Sequence, residues 1–105
     1  MGPIPSLTPQ ALELYAWLAE ELAETIQAVG KTLRHGPDSR WPIGSTNPTN
    51  QQDVERELGH VQHVLGRMVD TGLISREAVM RAAEAKAVSS LPYLHHQPKI
   101  QVQDV

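Results

Sequence analysis

Four glutamates and one histidine carry the clearest chemical pattern in this sequence. Glu20, Glu21 and Glu24 fall within five residues, and Glu57 stands three residues before His60. Residues three and four apart on a helix are neighbours on one face, so these spacings would hold like charges together. Such repulsion asks for a compensating cation. Glu21 follows Leu14 and Leu18 by seven and three residues, so it borders the apolar side of its helix rather than opposing it. Glu57 and His60 flank Leu58 and Val61 in the same way. Two such helices packed antiparallel would bring Glu21, Glu24, Glu57 and His60 together, as helical bundles do when they build metal sites. A carboxylate cluster prefers a hard cation such as Mg2+ or Mn2+. A solvated acidic stripe would carry the same spacing, and a lone Glu-x-x-His is a short signal.

The elements that would position these residues are helices. Thr8 suits an N-cap, with Pro9 at the first helical position. Leu12, Leu14, Tyr15, Leu18, Leu22, Ile26, Val29 and Leu33 then recur mostly at three- and four-residue steps. This helix is expected to reach about Leu33, and Gly36-Pro37 stops it. Residues 36–50 hold three Pro and two Gly without periodicity and are expected to form a loop. Trp41 and Ile43 suggest that part of the loop packs. A second helix is expected from near Asn50 to about Asp70. Its stripe is Val54, Leu58, Val61, Leu65 and Met68, with Gly72 beyond its end. A third helix, capped by Ser75 and running to about Val88, has a thin apolar face of Ala78, Val79, Ala82 and Ala83. The tail from Gln97 onwards is expected to be loose. The expected fold is all-α: a small antiparallel bundle of two long helices and a shorter third, completed by oligomerisation. One domain is expected over 1–105, with its core at about 8–90.

Composition narrows the function. The chain has 105 residues, no cysteine and no Phe. Disulfide scaffolds, thiolate metal sites and a Cys nucleophile are excluded. The formal net charge is -3, with no run of Lys or Arg, so duplex nucleic acid is an unsuited partner. The start Met-Gly-Pro-Ile-Pro does not read as a signal peptide, and no apolar run approaches the roughly 20 residues that span a bilayer. No membrane association and a cytoplasmic location are expected. A chain this short buries a limited share of its surface, which favours a homodimer or homotetramer.

The segments EELAE (20–24), KTLRHG (31–36) and RELGHVQHVL (56–65) resemble the MazG-like all-α nucleotide pyrophosphohydrolases. That superfamily carries E-E-x-x-E on one helix and E-x-x-D on the next. The loop GPDSRWPIGSTNPTN and the ending YLHHQ (93–97) are similar to phage- and prophage-type members. The resemblance covers roughly residues 10–97. It implies hydrolysis of a nucleoside triphosphate, (d)NTP, to (d)NMP and pyrophosphate, with Mg2+ as cofactor. It implies that Glu21, Glu24 and Glu57 are metal ligands and that Glu20 is a supporting group or the catalytic base. This chain departs from the pattern at His60, where Asp is expected. Imidazole ligates Mg2+ poorly but suits Mn2+ and other divalent transition metals. The site could therefore hold a softer metal, keep a weaker three-carboxylate Mg2+ site, or have lost activity. His63 could assist the first.

Lys31, seven residues after Glu24, and Lys86, late in the third helix, could each meet a phosphate oxygen. Arg34, His35 and Arg40 form a basic rim at the loop. Asn47 and Asn50 could read a base edge, although Asn50 equally suits a helix cap. Trp41 could stack on a base or pack the loop. Two other readings remain: a di-metal iron carboxylate protein using Glu57-x-x-His60, and an inactive helical interaction module. The pocket is expected between the first two helices and a neighbouring subunit, beneath the 36–50 loop.

Overall fold

The computed structural model describes residues 7–98, and every regular element among them is helical. Helix α1 runs Pro9–His35, α2 Asn50–Asp70 and α3 Arg76–Ser89, and a single 3-10 turn covers Leu91–Tyr93. No helix among the described residues is long and apolar enough to cross a membrane. The expectations for the first residues and for the tail beyond 98 lie outside the described residues.

Each helix starts where local chemistry dictates. The Thr8 hydroxyl accepts from the Ala11 N–H at 3.1 Å, and Pro9 needs no N–H partner at the first position. Helix α2 opens on a capping box: Thr49 accepts from the Gln52 N–H, and the Gln52 side chain accepts from the Thr49 N–H. Thr49 is the cap, so Asn50 is not; it opens the first turn. Ser75 caps α3. Helix α2 ends in a Schellman motif. The Gly72 N–H donates to Val69 and the Leu73 N–H to Met68, at 3.0 and 2.9 Å. Gly72 sits at φ 76, a conformation that glycine adopts without strain.

Helices α1 and α2 form an antiparallel hairpin. Leu14 packs with Val64 and Met68 near one end, Glu21 faces His60 midway, and Gly36 meets Asn50 at the loop end. Trp17, Leu18, Leu73 and Ile74 close over the apolar cluster. The loop end is held by polar staples instead. The Asn50 side chain donates to the Gly36 carbonyl at 2.9 Å, and the first N–H groups of α2 donate to Ser39 and Pro37. Helix α3 buries no residue, and η1 follows directly after it.

Burial corrects the expected core. Residues Ala11, Leu14, Leu18, Glu21, Thr25, Ala28 and Thr32 step by three and four along α1, and all are buried or half-buried against α2. One residue further on, Leu12, Tyr15, Ala19, Leu22, Ile26, Val29 and Leu33 make a second line with the same steps, and all seven are exposed. The expected stripe had merged the two lines. A step of one residue turns the helix by about 100°, which separates them. Helix α2 shows the same division. Val64, fully enclosed and absent from the expected stripe, is core, whereas Leu58 is exposed. Trp41 and Ile43 are 78% and 84% exposed, so they do not pack the loop down.

With so few buried apolar side chains, each matters. Met68→Ala is expected to cost about 2–5 kcal/mol of unfolding free energy, and Ile43→Ala less than about 0.5. Urea denaturation followed by circular dichroism measures both.

Candidate metal centre

Glu21 and Glu57 occupy core positions in the middle of the hairpin and are only 8% and 7% exposed. Each has one oxygen engaged. The Trp17 indole N–H donates to Glu21 Oε1 at 3.1 Å, and Arg56 donates to Glu57 Oε1 at 3.2 Å. With Glu24 ionised, the other two oxygens, Glu21 Oε2 and Glu57 Oε2, are buried and accept no hydrogen bond. His60 Nδ1 lies 3.3 Å from the first and 3.5 Å from the second. It is close enough to feel their charge, but its geometry gives neither a hydrogen bond. Buried carboxylate oxygens without a donor are costly, and native structures rarely leave them so.

Glu24 completes the group. Glu21, Glu24, Glu57 and His60 each offer one ligand atom, and these atoms lie within 4.8 Å of one another. Opposite ligands around a Mg2+ ion sit roughly 4.2 Å apart, so modest side-chain movement would close the set around one ion. Glu24 is half-buried and His60 exposed, which leaves one side of the cluster open. The residues present therefore fit a divalent cation. Glu20 stays outside the set. It is exposed, and its charge acts on Glu24 without joining the ligand atoms.

Electrostatics follow the geometry. Hydrogen bonding to Glu57 raises the Glu24 pKa above the ordinary 4.5, helped by burial and by repulsion from Glu21, Glu57 and Glu20. Burial pushes Glu57 upward too. The hydrogen bond from Arg56, the one that Glu24 donates when it is protonated, and the charges of Arg56 and His60 outweigh it and hold Glu57 below its ordinary value.

Five of the six expected substrate-binding residues line one cavity. Lys31, Arg34, Trp41, Asn47 and Asn50 share a space of about 650 Å³ with His35, Arg40 and Asp53. Lys86 is not among its lining residues. The two amides are already engaged: Asn47 donates to the Trp41 carbonyl at 2.8 Å, and Asn50 to that of Gly36. Each bond uses one N–H of its amide and fixes the side chain in the cavity wall. The cavity lies beside the cluster. Lys31 is two turns beyond Glu24 on the same side of α1, roughly 10 Å along the axis. His63 lies outside the cluster; it accepts from Arg67 Nε at 3.0 Å and meets the Trp17 ring edge-on. His95 and His96 follow the 3-10 turn and are exposed.

Sequence reasoning missed Trp17, Arg56 and Asp53. Their signals were local: Trp17 stands four residues before Glu21, and Arg56 pairs with Asp53 three residues earlier at 2.9 Å. Comparison with protein-family models, with curated proteins and with solved structures finds no match.

The two pKa shifts act on stability with opposite sign. Glu57, held low, contributes stability above 4.5 that is lost as pH falls through its folded value. Glu24, held high, contributes stability below 4.5 that is lost as pH rises through its folded value. In metal-free protein, Glu24→Gln is expected to flatten the decline in Tm above pH 4.5, and Glu57→Gln the decline below it. Thermal melts across pH read both limbs.

Proposed function

We propose that the protein is a metal-dependent nucleoside triphosphate pyrophosphohydrolase, converting (d)NTP and water to (d)NMP and pyrophosphate. The observation that carries this reading is the pair of buried, donor-free oxygens on Glu21 and Glu57, facing each other across His60 beside Glu24. The resemblance of the EELAE and RELGH segments to the MazG-like superfamily supplies the reaction. The adjoining basic and aromatic cavity suits the substrate.

Glu21, Glu24, Glu57 and His60 would hold the ion. Bound there, it would neutralise phosphate oxygens and lower the pKa of a coordinated water. The protein's own groups set the frame. Trp17 and Arg56 each fix one carboxylate oxygen and so aim the other inward. Lys31, Arg34 and Arg40 can draw phosphate oxygens toward the loop end as positive charges. Trp41, exposed on the cavity wall, offers an aromatic face for a base. Glu20, exposed and close enough for its charge to act on Glu24, is the candidate to accept a proton from an attacking water. His60 in place of a carboxylate favours Mn2+ or another divalent transition metal over Mg2+. It also keeps open an iron carboxylate function, for which iron in the purified protein without triphosphate turnover would be the mark. A cytoplasmic, homo-oligomeric, phage-type enzyme completes the reading.

Two measurements test it. A panel of nucleoside triphosphates with Mg2+ or Mn2+ is expected to release pyrophosphate, faster with Mn2+, and Glu21→Gln or Glu57→Gln to abolish release. No release across the panel with either ion would sink the hydrolase reading. Trp17→Phe keeps the ring but removes the N–H that orients Glu21. It is expected to weaken Mn2+ binding by roughly 10–100-fold, read by calorimetry, whether or not turnover is detected.

A further inference from the structure

Helix α1 carries three lines of residues. The buried line faces α2, and the exposed apolar line lies one residue after it. The third lies one residue before it and holds most of the charge of α1, from Glu13 through Glu20 and Glu24 to Lys31 and Arg34. Trp17 is the one aromatic residue on this charged line, and it is half-buried. Its side chain packs against the apolar cluster of Leu14, Val64 and Met68, while its N–H reaches Glu21 Oε1. Apolar packing holds a ring but does not aim its N–H, because hydrocarbon contact has no direction. A polar contact has to fix the angle.

Helix α2 supplies it. The residues one step before its buried Val64 and Met68 are His63 and Arg67, and in an antiparallel pair they share a face with the charged line of α1. The Arg67 guanidinium lies 5.9 Å from the centroid of the Trp17 ring, within cation–π range. The His63 ring stands 5.7 Å away at 62°, an edge-on contact. Arg67 Nε donates to His63 Nε2 at 3.0 Å, which ties the two together. Arg67 follows His63 by four residues on α2, and Glu21 follows Trp17 by four on α1, so two neighbouring pairs interlock across the hairpin. Among the described residues Arg67 makes no ion pair. Its side-chain contacts are the imidazole and the indole.

We infer that Arg67 and His63 seat the Trp17 indole so that its N–H stays on Glu21 Oε1, which makes them positioning residues of the metal centre. The inference rests on the metal-centre reading above. Neither residue belongs to the ligating set, and neither lines the cavity assigned to the nucleotide. The other carboxylate is served differently. Its donor Arg56 is held by Asp53, which does line that cavity. Glu57 is therefore steadied from the substrate end of the hairpin, and Glu21 from the packed end.

The sign of the effect separates positioning from plain charge. A guanidinium near the cluster repels a divalent cation, so on charge alone Arg67→Gln would tighten metal binding. Loss of positioning weakens it, because Glu21 is then free to turn its oxygens away from the ion. An exposed cation–π contact corresponds to roughly 2–5-fold in an equilibrium constant.

Calorimetry with Mn2+ on the full chain is expected to give a dissociation constant about 2–5-fold larger for Arg67→Gln than for the wild type. Arg67→Lys keeps a cation over the ring and is expected to recover part of the loss. In a Trp17→Phe background, Arg67→Gln is expected to weaken binding no further, because the N–H it serves is gone. Metal-free protein gives a second readout by NMR. The Trp17 indole N–H, assigned by its disappearance in Trp17→Phe, is expected to exchange with solvent about 2–5-fold faster in Arg67→Gln and in His63→Ala. The N–H of Trp41, which is exposed, is expected to keep its rate. Unchanged indole exchange in both variants, or tighter Mn2+ binding by Arg67→Gln, would overturn the inference. Faster indole exchange in a chain that binds no Mn2+ would instead sink the metal reading and uphold the seating of Trp17 on Glu21.

Discussion

Helix pairs usually meet through hydrocarbon, but this hairpin places carboxylates at the middle of its contact. Glu21 and Glu57 stand at positions where α1 and α2 would otherwise bury a leucine or valine. Removing a carboxylate from water is expensive unless donors or a cation replace the lost hydration. Trp17 and Arg56 replace half of it, one oxygen on each residue. The remaining need sets the arrangement around it. The apolar packing of Leu14, Val64 and Met68 is confined to one end of the hairpin, and Asn50 and the loop carbonyls hold the other. The cluster lies between a packed end and a stapled end, and exposed His60 leaves one side of it open.

That confinement explains why the molecule is thinly buried. A hairpin that spends its central positions on charge has few left for a core. The fully enclosed side chains are Val64 and Met68. The apolar face made by α1 and α2 is left outside. Leu12, Tyr15, Leu22, Ile26, Val29, Leu33 and Leu58 all lie exposed on it.

Much of this was legible in the sequence, for identifiable reasons. Helix ends were readable because Thr8, Ser75 and Gly72 act through short-range backbone chemistry. The pairs Glu21–Glu24 and Glu57–His60 were readable because three-residue spacing fixes side-chain neighbours within a helix, and antiparallel packing brings the pairs together. The core was not, because two heptad-like lines lie side by side on α1 and periodicity alone cannot say which one meets α2. The loop misled in a similar way. Trp41 and Ile43 have the composition of packing residues, yet they line an open cavity. The partners of the carboxylates were missed because a tryptophan or arginine nearby gains its meaning only once burial makes a free oxygen costly.

The three lines of α1 also determine how the helix can change over time. Substitutions act on one line at a time, so the charged, buried and apolar faces can vary almost independently. A single inserted residue near Gly30 is different. It would rotate everything beyond it by about 100°, carrying Lys31 and Arg34 into the register that now faces α2 and turning Thr32 toward the apolar side. Helix α1 is thus tolerant in spelling and strict in length, much as a coding sequence tolerates a changed letter better than a shifted frame.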